Sequence, residues 1–431
     1  MFKLTKRSFT ALLALALIFS LAALFACSQT ENDNDPVNDP SNDPVNDGGD
    51  QVSRTIAMVT DHLILREDGT VWQFYRQGTS NNYTIAEQIE GLDNIVYINS
   101  TRGGSFFAIR DDGTVWAWGQ NEISLGGGML GDGTTTYRPY PIQIEELSDI
   151  VAITNTRDSV SALQSDGTVW TWGWNQFGRL GDGTRQNRYS PVQIQGLPPI
   201  ISIVATDGIG GGSAILCENG IVWLISLDTF AYVQIEDLPP IASMSIGGSA
   251  LILISREGEV FISAGNNFFN WETEGIVAAD RLERVAFTVC EQGNVWEYGV
   301  GIGEFNNVAE ISKVGQIHGI ENITSLIIYS TATDFINGLF LCENGYLWRY
   351  SMCFNTTPFA PTLGKVEGLE GIASIHTATR WSGNFMTIPF AFAEDGTLWA
   401  WTNSEGRRHG LYNTPQQVEF RVATSADGTG D

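Results

Sequence analysis

From Ile56 onward the chain is a succession of short apolar runs broken by polar or glycine-containing pairs. In "SFFAIR" (Ser105 to Arg110), Asp-Gly, "TVWAWG" (Thr114 to Gly119), the second run alternates with the period of two that marks a half-buried strand. Asp-Gly between two such runs predicts a tight hairpin, because it accepts the positive φ angles that the turn demands. The same reading applies to Asp166-Gly167 and Asp395-Gly396, and to the variants Asn219-Gly220, Glu257-Gly258, Gln292-Gly293 and Asn344-Gly345. Trp116 and Trp118, two apart, project from one face of their strand, where large rings serve packing against a neighbouring sheet.

The hairpin aromatic recurs at Trp72, Trp116, Trp170, Trp223, Phe261, Trp296, Trp348 and Trp399, spaced by 44, 54, 53, 38, 35, 52 and 51 residues. Eight imperfect copies therefore fill Ile56 to Phe420. Each hairpin is followed by two further apolar strands around a polar or Pro-containing turn, as in "PIQIEELSDIVAI" (Pro141 to Ile153) and "PVQIQGLPPIISI" (Pro191 to Ile203). Four short strands per repeat, with no helical periodicity, predict an all-β chain forming a single β-propeller of seven to eight four-stranded blades over 54–420. Closure is expected to pair "RTIAMV" (Arg54 to Val59) with the last unit, whose own final strand near Gln417 is weak.

"DGTVWTWGWNQFGRLGDGTRQNRYSPVQIQGL" (Asp166 to Leu197) resembles the repeat of the regulator of chromosome condensation family, a "DGxVxxWGxNxxGQLGxG" hairpin followed by Pro and a "VxxL" strand. The copy at Asp112 matches through Leu130-Gly131-Asp132-Gly133, whereas those at Trp223, Phe261 and Trp296 keep the hairpin and lose "GxLGxG". The resemblance implies a propeller, usually of seven blades. With eight hairpins here, either the ring has eight blades or one hairpin is a partial unit.

The first 53 residues have a different character. Lys3, Lys6 and Arg7 precede "ALLALALIFSLAALFA" (Ala11 to Ala26), the layout of a secretion signal over 1–26. Leu24-Phe25-Ala26-Cys27 resembles the bacterial lipobox, with Phe25 bulkier than the usual occupant, which implies cleavage before Cys27 and lipid on it. An ordinary secretory signal with an incidental Cys, or an uncleaved anchor, fits the same run, and each alternative places the folded part outside the cytoplasm. Residues 27–53 carry "NDP" at Asn34, Asn38 and Asn42 and no apolar side chain larger than Val, the composition of a disordered acidic tether. At about 3 Å per residue it spans on the order of 75 Å. Residues 421–431 read as a flexible tail.

Charge narrows the partners. The chain has 23 Lys+Arg against 49 Asp+Glu, net −26, and losing 1–26 removes three bases and no acid, giving −29. That sign disfavours nucleic acid and anionic lipid. Cys217, Cys290 and Cys342 occupy one repeat position, held apart by whole repeats, so free buried thiols are expected. His62, His318, His376 and His409 are scattered, and no nucleophile context or metal spacing accompanies them. The glycine-rich Gly208–Ser213 and Gly299–Gly303 open no helix and read as loops or bulges. Asp132 and Asp182 in "GDGT" fit a calcium loop less well than a turn position fixed by the repeat. No catalytic residue, cofactor or metal is therefore expected.

What remains is loop surface, where repeat proteins bind. "NNFFNWETEG" offers Phe268, Phe269 and Trp271 as aromatic anchors, unless they pack inward against a short blade; "SEGRRHGLYN" clusters Arg407, Arg408 and His409, unless that loop is merely solvated. The resulting expectation is a monomeric module, lipid-anchored at the extracytoplasmic face of the membrane, that binds a protein or cell-wall component. A regulator of an extracellular enzyme is the alternative, since the family resemblance extends to secreted propellers that inhibit β-lactamase. A hydrolase or lyase built from surface acids, and nucleotide exchange on a GTPase, rank below both.

Overall fold

The computed structural model describes residues 56–421 apart from 61, 76–84, 102, 123–127, 157, 207–211, 227, 248–249, 265–266, 271–275, 283–284, 291, 303–307, 333–334, 354–361, 381–385 and 402–414. Every regular element among the described residues is a strand. The strands form eight sheets, each built of four antiparallel strands in sequence order and one of them extended by a fifth, so the ring has eight blades. Residues 1–55, where a signal, Cys27 and a tether are expected, and residues 422–431 lie outside the described residues.

The apolar alternation explains the packing. Each blade presents one row of side chains to the blade before it and one to the blade after, and eight hydrophobic clusters fill the eight gaps between blades. Trp118 and half-buried Trp116 meet Leu63, Leu65 and Val71 of blade 1; the equivalent Trp172 and Trp170 meet Phe107 and Val115 of blade 2. The hairpin aromatics are thus structural core. Burying flat rings and β-branched side chains on both faces of every sheet is the dominant stabilisation of such a ring. A β-bulge at the start of the innermost strand recurs in all eight blades, between Ile95 and Tyr97 in blade 2 for instance, and kinks the chain as it enters each sheet.

The second half of the sequence repeat straddles two blades. Arg138–Gln143 is the outer strand of blade 2, whereas Ile150–Asn155 is the inner strand of blade 3. The turn between them is an inter-blade linker, and the hairpin turn packs on it. Gly113 N donates to Arg110 O at 2.9 Å and positive φ falls on the glycine alone, so the turn is type I with a left-handed glycine. Asp112 fixes it by accepting from Thr114 N (2.9 Å) and Thr114 Oγ1 (2.6 Å), and these bonds hold its carboxyl below the usual range. Ile150 N then donates to Gly113 O (3.0 Å), and Ser165 N of the next hairpin to Asp149 O (2.9 Å). This face is consequently closed and tight.

A Cβ on Gly113 would lie 2.5 Å from Asp149 Cα, in addition to the φ of 80°. Gly196 has the same φ with nothing within 4 Å. Gly113→Ala is accordingly expected to destabilise by about 3 kcal/mol and Gly196→Ala by about 1 kcal/mol, the difference being the backbone collision. Urea denaturation of the two variants measures it; equal losses would mean that the linker gives way freely.

Closure departs from the expectation stated above. Ile56–Val59 stays within blade 1, paired with Leu63–Arg66, and Pro415–Gln417 completes blade 8 on Leu398–Trp401. The ring is closed by Glu419–Arg421, which pairs in parallel with Ile85–Gln88 at the outer edge of blade 1. With its inner position already filled, blade 1 has only that outer edge free to accept the C-terminal segment.

Candidate interaction surface

The face opposite the Asp-Gly turns carries the connections between strands 3 and 4, and in blades 2 and 3 these are long. Their shape is set from within by a buried asparagine. In blade 3, fully buried Asn175 accepts from Leu180 N at 2.9 Å and donates to Asp182 Oδ1 (3.0 Å) and Thr184 O (3.1 Å). Asp182 in turn accepts from Thr184 N (3.0 Å) and Arg188 Nε (2.9 Å). Blade 2 repeats the arrangement with Asn121, Leu130, Asp132, Thr134 and Arg138. Burial alone would raise the Asp132 and Asp182 carboxyls, but their arginine and threonine donors outweigh it and hold both below the usual range. Both clasps are therefore fully formed at neutral pH and loosen only as pH falls through the depressed carboxylate pKa. The positions that could have been read as calcium ligands hold guanidinium groups instead.

Each clasped loop leans on the following blade. Gly133 N donates to Tyr189 O (2.9 Å), Trp172 Nε1 to Met129 O (2.8 Å), and Gly183 N to Phe230 O (2.8 Å). The support underneath leaves aromatic rings in solvent: Phe177 is 53% exposed, Tyr189 42%, Tyr137 54% and Tyr140 78%. Phe177 stands edge-on to buried Trp174 with centroids 5.1 Å apart. The Arg179 guanidinium lies 5.6 Å from the Trp174 ring centroid and 5.9 Å from that of Phe177, and Arg185 lies 4.5 Å over Phe230. Rigid, half-exposed aromatics flanked by arginines have the composition of interface anchors.

Of the side chains singled out from sequence, Phe268 and Phe269 lie among the described residues. Phe268 is half-buried against the cluster between blades 4 and 5, and Phe269 sits in the outer strand of blade 5 opposite Ile262. Trp271, Arg407, Arg408 and His409 lie outside the described residues. Phe177, Arg179 and Arg185 sit inside the segment whose pattern is that of repeat architecture, so the sequence does not set them apart. The one local signal is that Phe177 interrupts a glycine-rich turn with a ring that no strand alternation requires.

Among the described residues no group of three or more His, Cys, Asp or Glu is placed to hold a metal ion. The perturbed groups are dispersed. Burial pushes the Glu297 carboxyl up between blades 6 and 7, where Tyr350 OH donates to it at 2.9 Å, and desolvation pushes His376 of blade 8 down to about 4. Cys217, Cys290 and Cys342 are buried and free, and burial raises the thiols of Cys217 and Cys342.

The clasped loop of blade 3, with the hairpin before it and the linker after it, is the stretch that can be compared with known families. Residues 166–209 match the regulator of chromosome condensation (RCC1) repeat. The RCC1 repeat runs from the Asp166 turn, through the clasp and the outer strand Arg188–Gln193, into the inner strand of blade 4, Ile200–Thr206; it is out of phase with the blade. The ring is an eight-bladed β-propeller in which one stretch, 166–209, is similar to the RCC1 repeat. Among solved structures it is similar to Prp20p from Saccharomyces cerevisiae, at 16% identity over 75% of this chain and 87% of that one (TM-score 0.45). It is also similar to human WBSCR16, at 13% identity over 81% and 93% (TM-score 0.48), and to BamB from Moraxella catarrhalis, at 13% identity over 82% and 95% (TM-score 0.43). Likeness at this level carries no argument about partners.

Proposed function

We propose that the chain is an interaction module, held outside the cytoplasm by lipid on Cys27 and the acidic segment 27–53, that binds a protein through the open face of blades 3 and 4. The observation that carries this reading is the rigid Phe177–Arg179–Arg185–Phe230 patch, with Tyr189 on the adjoining rim. A surface already ordered by the Asn175 clasp loses little conformational entropy when a partner docks, and exposed aromatics supply the area to be desolvated.

The test is capture from the extracytoplasmic fraction of the producing cell by the full chain, with Phe177→Ala/Tyr189→Ala and Phe268→Ala/Phe269→Ala/Trp271→Ala variants in parallel. The first double variant is expected to lower capture at least about tenfold, the effect of removing aromatic anchors, while the triple variant retains it. Retention by the first and loss by the second would move the interface to blade 5. In the same cells Cys27→Ala should release the chain from the membrane fraction; a chain that stays membrane-bound would contradict the lipid anchor.

A further inference from the structure

Resting on that reading, we infer that the segment docking on the open face of blades 3 and 4 is an acidic stretch of protein, its carboxylates received by Arg179 and Arg185 and a neighbouring apolar side chain by Phe177. The ground is a mismatch of charge. The chain carries more than twice as many acids as bases, and the other arginines of this region are paired: Arg138 with Asp132 at 2.7 Å and Arg188 with Asp182 at 2.8 Å. Arg179 and Arg185 carry no ion pair among the described residues. Arg179 Nε is buried and has no hydrogen-bond partner there.

Both guanidiniums instead lie against rings, Arg185 over Phe230 and Arg179 beside the Trp174–Phe177 pair. A ring against the face of a guanidinium leaves its edge N–H groups uncommitted, and in exposed Arg185 these are open to receive a carboxylate bidentately, with part-buried Arg179 beside it. It also fixes the side chains in advance, so that pairing costs little rotamer entropy. Arg179 stands where the repeat pattern has Gln, so the clasp itself does not require its charge. Two pre-positioned and uncompensated cations beside an exposed phenyl ring, on a chain otherwise strongly acidic, match an anionic segment interspersed with aromatic or aliphatic residues. Elsewhere this surface would repel such a segment, which confines docking to the patch and sets its register.

The probe is the random copolymer of glutamate and tyrosine (4:1), fluorescein-labelled, titrated with the full chain in 150 mM salt, where the Debye length of about 8 Å screens long-range repulsion. Comparators are polyglutamate and polyglycerol phosphate. Saturable binding of the copolymer is expected, weaker binding of polyglutamate, and a loss of about tenfold or more in Arg179→Ala/Arg185→Ala, with partial recovery in the corresponding lysine variants. Because Arg185 is exposed, Arg185→Glu tests the charge without disturbing the packing around Trp174, and it should abolish binding. The inference is overturned if the parent does not bind the copolymer, if Arg185→Glu binds it equally well, or if polyglycerol phosphate binds more tightly. Capture that depends on Phe177 and Tyr189, together with no copolymer binding, would keep the docking face and reject the acidic partner. Capture independent of both would reject the face itself.

Discussion

Ending the chain after Gln417 is expected to cost about 4 kcal/mol and to open the ring between blades 8 and 1. Val418 is buried, its amide donating to Leu398 O at 2.9 Å, and Phe420 is half-buried edge-on to Trp72 with centroids 5.4 Å apart. The Arg66 guanidinium lies 4.0 Å over Phe420 and 4.3 Å over Trp72, so losing the strand also uncovers a largely buried charge. Removing a buried valine and half of a phenylalanine's burial accounts for about 3 kcal/mol, and the lost cation–π contact and parallel hydrogen bonds for the remainder. The side chains that still bridge the gap, among them Phe74 stacked on Phe390 at 5.2 Å, keep the blades adjacent without a backbone connection. Urea denaturation should therefore show a lowered midpoint, and hydrogen exchange should quicken first in Leu63–Arg66 and Leu398–Trp401. Phe420→Ala alone should cost about 2 kcal/mol. A midpoint unchanged in the truncated chain would mean that side-chain packing alone closes the ring.

The eight hairpins were legible because each is specified within about a dozen residues: a strand alternation, a polar-residue–glycine turn that is Asp-Gly-Thr in four copies, and an aromatic two or three residues beyond it, Trp in seven copies and Phe261 in one. The phase of the repeat was not. "EELSD" after Gln143 looks like any turn between paired strands, and only the sheet pairing shows that Arg138–Gln143 and Ile150–Asn155 belong to different blades. Closure was hidden for a similar reason, since Glu419–Arg421 is three residues whose role depends on an edge more than three hundred residues earlier in the chain. Exposure of Phe177 was likewise unreadable, because it follows from a buried amide two residues before it and from support by Phe230 in the next blade. Local pattern encodes the blades; which rings remain in solvent is a property of how neighbouring blades meet.

Asn175→Ala is the substitution expected to separate architecture from binding. The fully buried amide satisfies Leu180 N, the Asp182 carboxylate and Thr184 O at once; truncation strands Leu180 N and Thr184 O, while Asp182 keeps its Thr184 and Arg188 donors. At about 1–3 kcal/mol for each buried polar group left unpaired, partly relieved by relaxation, the loss should be about 3–4 kcal/mol. Asn175→Asp offers no rescue: it keeps the acceptor for Leu180 N but sets a second carboxylate against Asp182. Asn121→Ala removes the same clasp from blade 2 and should cost a similar amount in urea denaturation, yet it leaves Phe177, Arg179 and Arg185 on an intact loop. Partner capture should accordingly fall at least about tenfold in Asn175→Ala and persist in Asn121→Ala at temperatures where both remain folded. Equal loss in both would show that capture tracks stability of the ring, and equal retention would show that the blade 3 loop takes no part. Only the asymmetric result ties binding to the geometry that the Asn175 clasp imposes.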